Sequence, residues 1–180
     1  RLRESEAQFR LAADAVGHIV WIIDGNGRNE FFNRQWFEYL GAPHEPTTVD
    51  AVIRKYVHPE DAAKTTAAFQ AAQRSGTTYS VEHRLRSKSG EYRWFLVRGE
   101  PYRDPTTGEV IRWYGTSVDI HDREVAEAKL RESEERVRLA TENAEVGFWD
   151  VDTINHILHW PRRVKAMFGI SADVPVTMDD

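Results

Sequence analysis

The sequence predicts an α+β domain: a five-stranded antiparallel sheet with short helices packed on one face, flanked by N-terminal and C-terminal amphipathic helices. Three observations predict it. Two short strand-like segments open the block, three longer ones close it, and helical stretches lie between them. Elements in that order pack as a sheet with its helices closing one side. A charged helix stands at both ends, and both copies carry the same words. Leu2-Arg3-Glu4-Ser5-Glu6 returns as Leu130-Arg131-Glu132-Ser133-Glu134, and Arg10-Leu11-Ala12 as Arg138-Leu139-Ala140.

Arg1 to about Ala15 is the first charged helix, free of glycine and proline. His18 to Asp24 (HIVWIID) is an apolar run bounded by Gly25-Asn26-Gly27, a strong hairpin signal. Arg28 to Asn33 is the return strand. Arg34 to Leu40 is a short helix whose apolar face holds Trp36, Phe37, Tyr39 and Leu40, stopped by Gly41 and Pro43. Glu45 to Asp50 reads as loop. Val57-His58-Pro59-Glu60-Asp61 opens a longer helix, because Pro59 suits a first turn and the acids complement a helix N-terminus. It runs to about Arg74 and ends at Ser75-Gly76.

Thr77 to Ser87 alternates, with Tyr79, Val81, His83 and Leu85 on one face and Ser80, Glu82, Arg84 and Arg86 on the other. Lys88-Ser89-Gly90 turns the chain. Glu91 to Arg103 is the next strand, Asp104 to Gly108 turns again, and Glu109 to Ile120 is the last strand.

Asp119 to Ala144 is a continuous helix of about 35 Å. Leu130, Val137 and Ala144 are seven apart, and Ala126, Ser133 and Ala140 alternate with them at spacings of four and three, which is an a/d seam with small residues at d. This helix reads as a rod joining two folded units, and Phe9, Leu130 and Val137 as a dimer seam. The pattern then restarts with Val146–Asp152 and Ile157–Trp160 as strands and Arg162–Gly169 as a short helix. Trp21 matches Trp149, Asp24 matches Asp152, Arg34 matches Arg162 and Gly41 matches Gly169, at a period of about 128 residues. The expected division is therefore a linker helix over 1–15, a domain over 16–122, a connecting helix over 123–144, and an incomplete second copy over 145–180. So short a piece rarely supports its own core and is expected to order by docking on a neighbour. The start inside a helix and the end at Asp179-Asp180 read as a fragment of a longer protein.

Composition bounds the function. The hydrophobic share of 41% and charged share of 29% are ordinary for a soluble globular chain. A net charge of −5 argues against a nucleic-acid-binding surface. No run approaches a transmembrane helix or a signal-peptide core. The absence of cysteine excludes disulfides, thiol nucleophiles and cysteine-ligated metal, and fits a cytoplasmic location.

The GNGR turn, FNRQWFEYLG, VHPED, SGEYRW and GTSVDIHDRE, in this order, resemble the PAS domain family, of the type with a C-terminal PAC motif. His121 stands where that family usually has Thr. The resemblance covers about residues 16–122 in full and 145–180 as a truncated copy. It implies a sensory or interaction module upstream of a histidine kinase, a diguanylate cyclase or another output domain. It also implies a pocket between the helical face and the sheet, and a signal leaving through the last strand into the exit helix, with Asp119 and Asp122 at the exit. A homodimer through the flanking helices is the expected assembly.

Cofactors leave marks in this family. Adduct-forming flavin members and the tyrosine-and-cysteine chromophore type both need a cysteine, so the resemblance excludes them here. Haem-binding members use a histidine on the long helix, and Pro59 to Arg74 has none. His58 and His83 read more readily as structural residues, so haem is disfavoured and non-covalent flavin stays open. The six tryptophans fit either a flat pocket for a planar ligand or the filling of a small core. For an open pocket the candidates are Trp36, Tyr39, His83, Trp94 and Trp113. His121-Asp122 superficially matches a phosphoacceptor pair but lacks the helical context of one. It reads as a helix-opening residue, with Asp119 or Asp122 as N-cap. No paired carboxylates, phosphate loop or Ser/His/Asp set is recognisable, which points away from an enzyme. Two alternatives stand beside the small-molecule sensor: a ligand-free interaction and spacer module, and a redox sensor with non-covalent flavin.

Overall fold

The computed structural model describes residues 2–143, 149–152 and 157–175. The chain divides into two compact units, Arg1–Glu124 and Val125–Asp180.

In the first unit, α1 (Leu2–Ala15) leads into β1 (Ile19–Asp24) and β2 (Asn29–Phe32). Then come α2 (Arg34–Leu40), α3 (Val49–Tyr56) and α4 (Pro59–Ser75), followed by β3 (Tyr79–Arg86), β4 (Tyr92–Arg103) and β5 (Val110–Asp119). The five strands form one antiparallel sheet in the order β2-β1-β5-β4-β3. The first and last strands in sequence are thus central neighbours, pairing Ile19 with Ser117 and Asp24 with Arg112.

Local chemistry accounts for the elements. Asp24 Oδ1 accepts from the N–H groups of Asn26 and Arg28, which closes the β1–β2 turn. His58 caps α4, its Nδ1 accepting from Glu60 N at 3.3 Å, with Pro59 in the first turn. The acids that complement this terminus also fasten it. Asp61 receives Arg84 Nε at 2.8 Å and Arg84 N at 3.0 Å, tying α4 to the edge strand β3. The stretch read as loop plus an unassigned tail contains α3. Thr48 Oγ1 caps it by accepting from Ala51 N at 3.2 Å.

One face of the sheet is the core. Trp21, Ile23, Tyr79, Leu85, Phe95, Val97 and Trp113 are buried against Trp36 and Leu40 of α2, Ile53 and Tyr56 of α3, and Phe69 and Ala72 of α4. The sequence alternation in β3 holds: Tyr79, His83 and Leu85 are buried while Ser80, Glu82 and Arg86 are not.

α5 (His121–Asn143) begins in the first unit. The second unit continues with β6 (Asp150–Asp152), β7 (Ile157–His159) and α6 (Arg162–Met167). These repeat β1, β2 and α2 at the sequence period. The pairing of Ile22 with Phe31 returns as Asp150 with His159. Gly41 and Gly169 both stop their helices with positive φ, 63° and 72°. Ala144 and the beginning of the Val146–Asp152 strand lie outside the described residues. Among the described residues no helix is long and apolar enough to cross a membrane.

Candidate functional site

A cavity of about 70 Å³ lies between the inner sheet face and α2, α3 and α4. Trp36 and His83, two of the five ligand candidates, line it. Trp36 is packed face to face on Phe32 at 3.8 Å between centroids and edge-on to Tyr56. His83 projects from β3, and its Nδ1 lies 3.1 Å from Thr65 Oγ1 of α4. Thr65 donates its single hydroxyl hydrogen to Asp61 O at 2.9 Å, so its oxygen accepts from His83. The imidazole is therefore the Nδ1–H tautomer. Burial pushes its pKa down to about 4, against the opposing pull of Asp61 and with a small contribution from Lys64.

The other three candidates lie elsewhere. Tyr39 packs edge-on to Phe95 at 5.0 Å and donates its hydroxyl to Leu85 O at 3.1 Å. Burial, reinforced by Asp119, raises its pKa to about 12. Trp113 is the most deeply buried of the large side chains, but it does not itself line the cavity; it packs on the wall residue Phe69, with 6.3 Å between ring centroids. Trp94 sits one residue off the buried positions of β4, so its ring points to the outer face. There Arg84 and Lys64 lie over it at 5.0 and 5.2 Å. A strand alternates, and Trp94 cannot share a face with Phe95.

Several wall residues were not singled out from the sequence. Val49, Val52 and Ile53 come from α3. Their spacing with Tyr56 (i, i+3, i+4, i+7), behind a threonine cap, is the signal that marks this helix. Tyr79, Thr65 and Ser117 also line the cavity. Trp21 covers its far side, with Nε1 donating to Ser117 Oγ at 3.2 Å. A side-chain carbon at either Gly99 or Gly115 would overlap this indole, so the ring lies directly on the two facing glycines of β4 and β5.

The exit from the sheet is bound on all sides. Arg93 donates to Asp119 at 2.6 Å and to Asp122 at 3.0 Å. Asp119 Oδ1 also accepts from His121 N at 2.9 Å, opening α5. Asp119, not Asp122, therefore carries the capping bond. Ile120 N donates to Trp94 O, and its side chain is buried. Trp94 N donates to His121 Nδ1 at 3.4 Å, which gives His121 a structural partner. Phe9 packs on Phe31 at 5.2 Å yet stays largely exposed, as do Leu130 and Val137 of α5.

The PAS fold family matches residues 29–117. This region is a PAS domain. A crystal structure of a sensory box histidine kinase/response regulator from Burkholderia thailandensis superposes with a TM-score of 0.57 at 29% identity, covering 73% of this chain and 98% of that one. The peroxide stress-activated histidine kinase mak1 of Schizosaccharomyces pombe is 29% identical over 136 residues, 72% of this chain and 8% of that protein. The probable diguanylate cyclase DgcE of Escherichia coli is 25% identical over 173 residues, 94% of this chain and 15% of that protein. The chain spans a fifth or less of the length of the curated relatives it matches. The PAS domain here is a signal-transduction sensor module of the kind found in histidine kinases and diguanylate cyclases.

The PAS cavity bears on the cofactors. Its volume of about 70 Å³ is far below the ~300–1,000 Å³ typical of cofactor sites, and among the described residues no Lys or Arg lines it to meet a phosphate. At this volume the cavity has no room for a flavin or a haem.

Proposed function

We propose that residues 16–122 sense a small molecule in the cavity and hand its occupancy to α5. The observation that carries this reading is a continuous route. Leu85 lines the cavity and accepts the hydroxyl of Tyr39. Tyr39, Phe95 and Asp119 share one groove, and Asp119 is the residue that opens α5. A ligand that displaces β3 or α2 shifts Tyr39 and so biases the Arg93–Asp119 pair. A few kcal/mol of differential affinity is enough to move such an equilibrium.

The module works as a cytoplasmic homodimer, with the exposed Phe9, Leu130 and Val137 as the helical seam. Residues 16–122 form a PAS domain with a C-terminal PAC motif, and residues 145–180 are the opening of a second PAS domain, a reading supported by the repeated register of β6 and β7. The chain has no catalytic role of its own. Its signal passes to an output domain of the same polypeptide, a histidine kinase or a diguanylate cyclase, following the relatives.

One observation favours a second reading, a ligand-free interaction and spacer module: the cavity is small and aromatic packing takes much of the space around it. Native mass spectrometry of the purified chain, with an absorption spectrum, separates the two. Excess mass that leaves on denaturation, and is missing from a Val49→Phe variant that fills the cavity, is the expected result. A bare polypeptide mass under conditions that preserve weak complexes points to the spacer.

A further inference from the structure

We propose that His83 Nε2 anchors the ligand of this cavity, and that it selects a small, neutral, largely apolar molecule carrying one hydrogen-bond donor. This rests on the sensor reading above and specifies its chemistry. Among the described residues no Asp, Glu, Lys or Arg lines the cavity. An ionic ligand would lose its hydration there without gaining a counter-charge. Some polar groups on the wall are already committed: Trp21 Nε1 donates to Ser117 and Asn29 Nδ2 to the carbonyls of Ile22 and Phe31. The Thr48 and Ser117 hydroxyl oxygens accept from Ala51 N and Trp21 Nε1 and keep their hydrogens for a ligand, and Asn29 Oδ1 has no partner among the described residues. Thr65 is committed to Asp61 and His83.

His83 is left with a bare lone pair on Nε2, which has no partner among the described residues. The residue is 5% exposed and lines the cavity, and with Nδ1 held by Thr65, Nε2 is the ring nitrogen left for a ligand. A ligand N–H or O–H placed there satisfies the lone pair, whereas a hydrocarbon buries it unpaired. The depressed pKa of His83 keeps the ring neutral and accepting at pH 7. Tyr79, also on the wall, carries a hydroxyl that both donates and accepts and so discriminates less. A water-sized sphere needs about 10–15 Å³ in this measure, so the cavity holds about half a dozen non-hydrogen atoms.

The test titrates the full chain by NMR with two isosteric rings, pyrrole (one N–H) and furan (none), and with acetate, an anion smaller than either ring. Pyrrole is expected to bind about tenfold more tightly than furan and to move the ¹⁵N resonance of His83 Nε2. Acetate is expected to leave the cavity resonances unchanged. In His83→Leu, pyrrole and furan should bind alike. The Nε2 measurement on the unaltered chain stands whether or not that variant folds. Equal binding of pyrrole and furan with an unmoved Nε2 resonance overturns the anchor but leaves the sensor reading intact. Carboxylate binding overturns the neutral ligand class. Binding of neither ring overturns the proposal. The sensor reading then survives only if native spectra still show a bound molecule that Val49→Phe loses.

Discussion

The guanidinium of Arg93 lies 2.6 Å from the carboxylate of Asp119, joining β4 to the last residue of β5 where α5 begins. Asp119 caps His121 at the same time, so the pair fixes both the strand end and the first helical turn. Arg93→Ala removes the bridge and leaves the helix to be held by Ile120 and the cap. The expected loss of global stability is modest, about 1 kcal/mol, because both groups are partly exposed. Hydrogen exchange at residues 120–124 should accelerate well beyond that global change. Exchange there that tracks only global stability would mean that the pair does not gate the exit.

Gly115 faces Gly99 beneath the indole of Trp21. Gly115→Ala forces the ring off its bed and breaks the fit with Ser117. Overpacking of this kind costs about 1–3 kcal/mol. Urea unfolding measures it, and an unchanged midpoint would show that the indole can move aside freely.

His83 makes stability depend on pH in a definite window. Unfolded imidazole protonates near pH 6.5, whereas burial holds His83 down to about 4, opposed by Asp61. Between those values the unfolded chain binds the extra proton. Stability from this group is full above about pH 6.5 and falls as pH drops toward 4, by up to about 1.4 kcal/mol per pH unit. His83→Leu should flatten this slope in urea titrations between pH 4 and 7, and an unchanged slope would assign it to another group. Asp61 acts lower on the scale. Burial raises its pKa, but bonds from Arg84 outweigh that and bring it down to about 2. Its contribution is present above about pH 3.8 and is lost as pH falls toward 2.

Leu130 is 60% exposed at the strongest apolar position of α5. Leu130→Glu places a charge on the proposed seam, and sedimentation should show a monomer where the parent chain is a dimer. A persistent dimer would move the contact to the PAS domain itself.

The elements with a strong period or strong punctuation were legible in the sequence. The β3 alternation, the Gly-Asn-Gly hairpin, the Pro59 helix start and the uninterrupted α5 each rest on interactions between residues close in the chain. α3 was missed because its single short apolar face sits between loop-like residues and gains its stability from packing on α4 and the sheet. Of the pocket candidates, Trp36 and His83 reached the cavity while Trp94 did not. Residue type suggested all of them, and strand parity with helix phase chose among them.

The sequence by itself determined the order of the strands and of every helix of the PAS domain but α3, the repeat, and the acids at the sheet exit, because capping, turn chemistry and hydrophobic period act over a few residues. Only the tertiary structure decided that β1 pairs with β5, that Arg93 reaches Asp119, and that Gly99 and Gly115 make room for Trp21. Those relations join residues that lie far apart along the chain. They follow from which faces bury together and how closely backbones approach, and neither quantity is written in local composition.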